Sequence, residues 1–208
     1  MLETVDATFR RCAAQTGLEA PDPRVREAML RVPRERFVPP GLAHRAHDDA
    51  ALPIACGQTI SQPFVVALMT TLLRPEPWQR VLEVGTGFGY QAAVLGEVVG
   101  EVGTVELTSE LAAEATARLR QLGYANVHVR CSDGFHGQAE HAPFDGILVA
   151  CGAESIPQAL IHQLAPGGHL VIPVGPRGDQ RLLDVTKDHS GGVQRRDVLG
   201  VRFVPFVH

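Results

Sequence analysis

The sequence predicts an α/β fold: a mostly parallel, doubly wound sheet with helices on both faces and an antiparallel C-terminal hairpin. Three observations carry that expectation. From residue 80 onward, short strand-like runs alternate with stretches of helical periodicity. The first run, Val81-Leu82-Glu83-Val84, passes directly into Gly85-Thr86-Gly87-Phe88-Gly89 and then a helix-like segment. Near the end, two apolar runs flank Asp188-His189-Ser190-Gly191-Gly192, a hairpin signature that closes the parallel alternation.

The elements follow in order. Residues 4–17 place Val5, Phe9, Cys12 and Ala13 on one helical face. Pro23 opens a short second helix through Leu30, at the favoured first-turn position. Val32–Pro40 is punctuated by prolines and reads as extended chain. Residues 41–62 show no clear period, and irregular segments of that length in compact domains tend to be functional. A helix is expected from Pro63 to about Leu73. Then come strand Arg80–Val84, helix Tyr90–Val99, strand Val102–Leu107 and helix Ser109–Leu122. Ser109 suits the N-cap of that last helix and Gly123 its stop. Strands Val127–Cys131 and Phe144–Ala150, helix Ile156–Leu164 and strand Gly168–Val174 complete the alternation. Leu182–Lys187 and Val198–Val204 form the hairpin arms.

Composition narrows the function classes. The 208 residues are 45% hydrophobic, enough for a substantial core, and contain no run of 18 apolar residues, so no membrane span is expected. Met1–Asp6 carries acids and no basic-then-apolar leader, which points to a cytoplasmic protein. The formal net charge is −4, and the arginine pairs at 10–11 and 195–196 are too small for a nucleic-acid footprint. The four cysteines, at 12, 56, 131 and 151, form no Cys-x-x-Cys pair. His44 and His47 lie beside Asp48 and Asp49, but no further ligand pattern follows, and no metal is expected.

The chemistry concentrates at the expected strand ends. Gly85, Gly87 and Gly89 follow Gly-x-Gly-x-Gly spacing, not the dinucleotide Gly-x-Gly-x-x-Gly. Such a turn brings backbone N–H groups close to a ligand. Twenty-one residues after Gly85 stands Glu106, at the end of the second strand, where an acid accepts from both ribose hydroxyls. Glycine loop plus acid reads as a nucleoside site with no pyrophosphate to hold, and S-adenosyl-L-methionine is the best candidate. The alternative is an ordinary glycine-rich βα turn. Asp133, before Gly134, has two readings: acceptor for an adenine amino group, or cap of a short turn.

Together with their neighbours, these residues resemble the protein-L-isoaspartate (D-aspartate) O-methyltransferase family, over nearly the whole chain after about residue 24. The glycine loop is the less specific part. More specific are Leu52-Pro53-Ile54 with Gly57-Gln58-Thr59-Ile60-Ser61-Gln62-Pro63, Val32-Pro33-Arg34 through Phe37-Val38-Pro39, Ala142-Pro143-Phe144-Asp145, Pro166-Gly167-Gly168, Ile172-Pro173-Val174-Gly175 and Val201-Arg202-Phe203-Val204-Pro205. The resemblance implies a Rossmann-like, S-adenosylmethionine-dependent methyltransferase domain over 1–208. Residues 1–75 would be an N-terminal helical and loop extension carrying the active-site loop, and 76–208 the cofactor-binding core. It implies methyl transfer to the α-carboxylate of isoaspartyl residues in damaged proteins, followed by closure to a succinimide. It places Thr59, Ile60 and Ser61 near cofactor and substrate, with Ser61 as the active-site serine. Gly85, Thr86, Gly87 and Gly89 would form the cofactor loop, Glu106 the ribose acid, and Asp133-Gly134 the adenine-side pair. Gln180 would close over the cofactor, and Arg202–Val204 would bind peptide backbone. A monomer is expected.

The chain departs from the family pattern at His47, Ala55, Phe88, Ser132 and Ala150-Cys151-Gly152. A relative that methylates aspartate in one dedicated peptide, or a cofactor-binding homologue without catalysis, would share the same glycine loop. The acceptor is a carboxylate with an ordinary pKa near ~4, ionised at neutral pH, so no general base is required. No His/Asp pair accompanies the glycine loop, and no Gly-x-Ser-x-Gly elbow surrounds Ser61, which excludes a nucleophilic serine. Ser61 then either orients the acceptor or caps the helix that begins near Pro63.

Overall fold

A computed structural model describes residues 1–207. The N-terminal third is helical and irregular. Helix α1 (Leu2–Thr16) buries Val5 and Phe9 and stops at Gly17, whose φ of 73° is left-handed. In α2 (Pro23–Arg31) the Asp22 side chain accepts from the Arg24 N–H, and Pro23 sits in the first turn. Extended chain was expected over Val32–Pro40. Instead 3₁₀ turns occupy Arg34–Phe37 and Pro40–Arg45, because the fixed φ of proline suits a tight turn as well as an extended strand. The segment without a period contains a short antiparallel pair, β1 (Leu52–Pro53) and β2 (Thr59–Ile60). Two-residue strands leave no alternation to read. Helix α3 (Pro63–Leu72) is buried on almost every side, and its Phe64 ring meets Phe9 edge-on at 5.2 Å.

The remainder alternates as expected: β3 (Arg80–Val84), α4 (Tyr90–Gly96), β4 (Glu101–Glu106), α5 (Ser109–Gln121), β5 (Val127–Cys131), β6 (Phe144–Val149), α6 (Gln158–Gln163), β7 (Leu164–Val174), β8 (Gln180–Lys187) and β9 (Val193–Val201). The seven strands β3–β9 form one sheet of order β5-β4-β3-β6-β7-β8-β9. The pairs from β5 to β7 are parallel, and β8 and β9 turn antiparallel. Alternate residues of β3 feed opposite layers: Val81 packs with the N-terminal helices, Leu82 and Val84 with α6.

Several boundaries need correction. Helix α4 ends at Gly96 rather than Val99, and α6 gives way at Leu164 to a strand expected only from Gly168. The N-cap of α5 is Thr108, without a side-chain cap bond, and Ser109 is already helical. The last strand runs Val193–Val201, not Val198–Val204. As the sheet's edge, β9 is mostly exposed over residues 193–197, so its polar start carries no hydrophobic signal. Beyond it the chain turns to the end of β6, where the Gly152 N–H donates to the Val204 carbonyl at 2.8 Å and the Phe206 N–H to the Gly152 carbonyl.

Two features position the site. Strand β3 has β4 on one side and β6 on the other, with Val84 beside Val105 and Val149. The chain crosses over in opposite directions here, so the loops after β3, β4 and β6 open onto one crevice. At the far edge, buried Asp184 accepts from His169 Nδ1 (2.9 Å) and Arg196 (3.2 Å), and Arg196 also donates to the Thr16 carbonyl. This links the end of α1 to the antiparallel strands. Burial works to raise the Asp184 pKa, but His169 and Arg196 outweigh it and hold the carboxyl low.

Candidate active site

The glycine loop follows β3 with Gly85, Gly87 and Gly89 at φ 95°, 55° and 91°, left-handed values that explain the glycines. Its amides are used within the protein. Those of Gly85 and Thr86 donate to the Val105 carbonyl, and that of Gly87 donates to Glu106 Oε2 at 2.9 Å. The loop is therefore fastened to β4, and these three amides are committed within the protein. The missing side chains open the space instead. At Gly134 a Cβ would lie 2.4 Å from Val84 Cγ1, so no side chain is admitted there either.

Glu106 ends β4 and is 8% exposed. Its Oε1 accepts from the Thr108 N–H at 3.0 Å, and Oε2 from Gly87. Two backbone amides thus aim the carboxylate. Glu106 lines a narrow cleft of about 80 Å³ together with Thr59, Gly85, Gly87, Gly134 and Val204. Pro205, Phe206 and Val207 cross the same cleft. Cys151 belongs to its wall, and burial pushes that thiol's pKa up, which keeps it protonated.

Beneath the loop lies a residue the sequence reading passed over. Glu83 is fully buried on β3 and accepts from the Thr104 hydroxyl at 2.5 Å; Thr104 in turn lies 2.6 Å from the Thr86 hydroxyl. Glu83 Oε1 has no partner among the described residues. Burial pushes this carboxyl up to about 8, against the pull of the Thr104 hydrogen bond and with the help of the Glu106 charge. An acid inside an apolar strand was a visible signal, although its period-2 position gave no reason to set it apart.

A second, wider cleft of about 520 Å³ lies across β2 from the first. Ser61, Gln62, Phe64, Gln180, Arg202 and Phe203 line it. Ser61 also lines a small recess shared with Thr59, Ile60, Gly85, Thr86 and Gly87, so it stands between the wide cleft and the glycine loop. The Ser61 hydroxyl makes no hydrogen bond among the described residues. The cap reading of Ser61 is corrected. The N-cap of α3 is Gln62, and Asp49 Oδ1 accepts from the Phe64 N–H at 2.8 Å, so the helix is capped from a distant loop. Asp49, fifteen residues earlier, had no local signal to mark it.

The remaining candidates divide. Asp133 caps the short turn Gly134–His136 through the Phe135 N–H, and its other oxygen stays 4.0 Å from His136. Gly89 starts α4, packed against Leu119. Gln180 is buried, and its amide pairs with the backbone of Phe203: the Phe203 N–H donates to Oε1 at 2.7 Å and Nε2 donates to the carbonyl. Gly152 makes room for it, since a Cβ there would fall 2.1 Å from Gln180 Nε2. This accounts physically for glycine at one of the departing positions. Val204 lines the narrow cleft, not the wide one with Arg202. No group of three or more His, Cys, Asp or Glu that could hold a metal occurs among the described residues.

A glycine loop after the central strand, an acid aimed from the end of the next, and a crevice at the crossover define a Rossmann-like, S-adenosylmethionine-dependent methyltransferase. The comparisons narrow this class. The family model described as protein-L-isoaspartate(D-aspartate) O-methyltransferase matches residues 13–208. The chain is 50% identical over 206 residues to protein-L-isoaspartate O-methyltransferase 2 of Syntrophobacter fumaroxidans, covering 99% of this chain and 83% of that protein. It is 54% identical over 189 residues to the enzyme of the same name from Nitrosococcus oceani, covering 91% and 86%. A solved structure of a protein-L-isoaspartate O-methyltransferase superposes with a TM-score of 0.79 at 28% identity, over 99% of this chain and 65% of that one. The chain belongs to the protein-L-isoaspartate(D-aspartate) O-methyltransferase family, and its reaction is S-adenosylmethionine-dependent methylation of isoaspartyl residues.

Proposed function

We propose that the narrow cleft holds S-adenosylmethionine, that the wide cleft takes the isoaspartyl peptide, and that Ser61 orients the acceptor carboxylate between them. The observation that carries this reading is the position of Ser61. Its hydroxyl makes no hydrogen bond among the described residues, and the residue belongs both to the wide cleft and to the recess beside the glycine loop. Thr59 and Ile60 share that recess.

The residues present fit the cofactor. Glu106 has two oxygens preset by backbone amides, with lone pairs left for ribose hydroxyls. Gly85, Gly87 and Gly134 leave the floor of the cleft without side chains. Asp133 keeps one oxygen for the adenine side, and Gln180 fixes Phe203 above the acceptor. Bound S-adenosylmethionine supplies an electrophilic methyl group on a sulfonium. The protein's own contribution is alignment and exclusion of water. An ionised carboxylate needs no base, so Ser61 donates one hydrogen bond that fixes the acceptor oxygen's direction. Arg202, on the wall of the wide cleft, holds the peptide main chain. The segment Val204–Val207 lies across the cofactor cleft, which is far smaller than the ~300–1,000 Å³ usual for ligand sites; this segment moves aside to admit the cofactor.

In this proposal residues 1–75 carry the acceptor loop and 76–208 the cofactor core, in one domain. The acceptors are damaged proteins in the cytoplasm, and the enzyme acts as a monomer without nucleic acid or membrane. The formal net charge of −4 supports the protein-acceptor reading. No helix among the described residues is long and apolar enough to cross a membrane.

The experiment is labelled methyl transfer to an isoaspartyl peptide beside its aspartyl twin. Label should enter the isoaspartyl peptide alone and leave in mild alkali, as a carboxyl ester does. Equal labelling of both peptides, or an alkali-stable product, would reject the assignment.

A further inference from the structure

Arg34 is the largest fully buried side chain among the described residues, and it lies far from both sheet and glycine loop in sequence. Among the described residues no carboxylate stands within ion-pair distance of it. Its Nε donates to the Ala46 carbonyl at 2.8 Å, and its Nη2 to the carbonyls of Ser61 (2.9 Å) and Ala50 (3.5 Å). The guanidinium carbon sits 4.7 Å from the centroid of the Tyr90 ring. One side chain thereby joins both ends of the irregular segment that runs from Ala46 to Ser61.

Such an arrangement is a poor way to gain stability. A buried guanidinium without an ion pair carries a desolvation cost that carbonyl dipoles, a ring face and the nearby Asp49 charge offset only in part. Burial lowers the Arg34 pKa, consistent with that cost. An apolar side chain of similar volume would fill the same space without it. What the guanidinium supplies, and an apolar side chain would not, is direction: it fixes three carbonyls, one of them that of Ser61.

Asp49 works on the same segment from the other side. Its Oδ1 accepts from the Phe64 N–H and its Oδ2 from Gln62 Nε2 at 3.1 Å and, more weakly, from the Thr8 hydroxyl at 3.4 Å. Ser61 is thus gripped at its own carbonyl by Arg34, while Asp49 grips the two nearest anchor points that follow it. The Ser61 hydroxyl takes no part in this grip, and Ser61 lines the wide cleft.

We propose that Arg34 and Asp49 form a clamp that positions the acceptor segment Thr59–Gln62 for methyl transfer, both acting as positioning residues through Ser61. The inference rests on the reading of Ser61 as the residue that orients the acceptor. Direct displacement at a methyl carbon depends on alignment, and a misplacement of about 1 Å costs on the order of 100-fold. A lysine at position 34 keeps the charge but presents a point donor on a flexible stem, which cannot reproduce the planar fork.

The test uses the full chain and the variants Arg34→Lys, Asp49→Asn, Ser61→Ala and Arg34→Lys/Ser61→Ala. Each is measured for melting temperature, for S-adenosylmethionine affinity by calorimetry and for kcat on an isoaspartyl peptide. Arg34→Lys should lower kcat roughly 10- to 100-fold and leave cofactor affinity within about 3-fold. The double variant should lose less than the product of its two single losses, because both act on one alignment. Asp49→Asn should lower kcat in the same direction by a smaller factor, and it carries the test if Arg34→Lys fails to fold. Unchanged kcat in the folded variants, a loss matched by lost cofactor affinity, or fully multiplicative losses in the double variant would overturn the clamp. Full turnover in Ser61→Ala would overturn the Ser61 reading and with it the clamp, whereas a loss in Ser61→Ala beside unchanged kcat in Arg34→Lys and Asp49→Asn would overturn the clamp alone.

Discussion

The narrow cleft, the proposed cofactor cleft, and the wide one, the proposed acceptor cleft, share Thr59 and Ala150 as lining residues, yet they are held in different ways. The cofactor cleft is held by nearby backbone: glycines with left-handed φ, carbonyls at strand ends and two amides on Glu106. The acceptor cleft is held by long side chains reaching across the fold. Arg34 reaches Ser61 over 27 residues, Asp49 reaches Phe64 over 15, and Gln180 reaches Phe203 over 23. A site made from backbone geometry tolerates side-chain change. A site made from distant side chains changes its shape when one of them is altered. Of the departures from the family pattern, Phe88 lines the recess beside the glycine loop, and the Ser132 N–H donates to the Glu106 carbonyl at 3.0 Å.

The comparison can be broken most forcefully at Glu106. Glu106→Ala removes a ribose acceptor and also leaves the Gly87 and Thr108 amides without their partner. S-Adenosylmethionine binding should weaken by about 1.5–3 kcal/mol or somewhat more. Calorimetry that finds unchanged affinity would show that this acid is not the ribose ligand. Next in size is Ser61→Ala. It should cost roughly 10- to 150-fold in turnover on an isoaspartyl peptide, the loss of one hydrogen bond to an ionised group. Since Asp49 caps α3, melting temperature should hardly move. An earlier melt with normal turnover would return Ser61 to a structural role.

Smaller effects sharpen the contrast. Asp49→Ala should lower stability by about 0.5–2 kcal/mol through the lost helix cap, read as the midpoint of urea unfolding. An unchanged midpoint would mean the α3 amides find another acceptor. The last expectation concerns Glu83 and stability alone. Its folded pKa of about 8 lies above its ordinary value of 4.5. Between those values the native state binds more protons than the unfolded chain, so this residue's contribution makes stability fall as pH rises. Above the folded pKa the contribution levels off. Glu83→Gln should remove that part of the slope while leaving neutral-pH turnover intact. Carbonyl infrared bands of the wild type should show a protonated carboxylic acid at pH ~7 that is missing in the variant. Equal pH slopes in both proteins would sink the assignment.

Legibility in the sequence tracks the same divide. The spacing of Gly85, Gly87 and Gly89 and the offset to Glu106 point to the proposed cofactor cleft from the sequence alone, because each signal is local. Ser61 was legible only through a resemblance, and its neighbourhood carried no period. Arg34 stood in a recognised stretch without a role, and Asp49 stood in an unpatterned one. Edge strand β9 was misplaced by five residues at its start because an exposed edge has no apolar alternation to read.

The sequence by itself determined the α/β alternation, the strand that turns into the glycine loop, the acid that follows and the hairpin that closes the sheet. All of these are set within a few residues by propensity, period and allowed φ. Tertiary structure alone decided which amides the glycine loop spends on β4 and that Gln180 is committed to Phe203. It also decided that α3 is capped from Asp49 and that a buried arginine grips the carbonyl of Ser61. Those contacts join residues 12 to 27 positions apart, and only the packing of the folded chain brings them within hydrogen-bond reach.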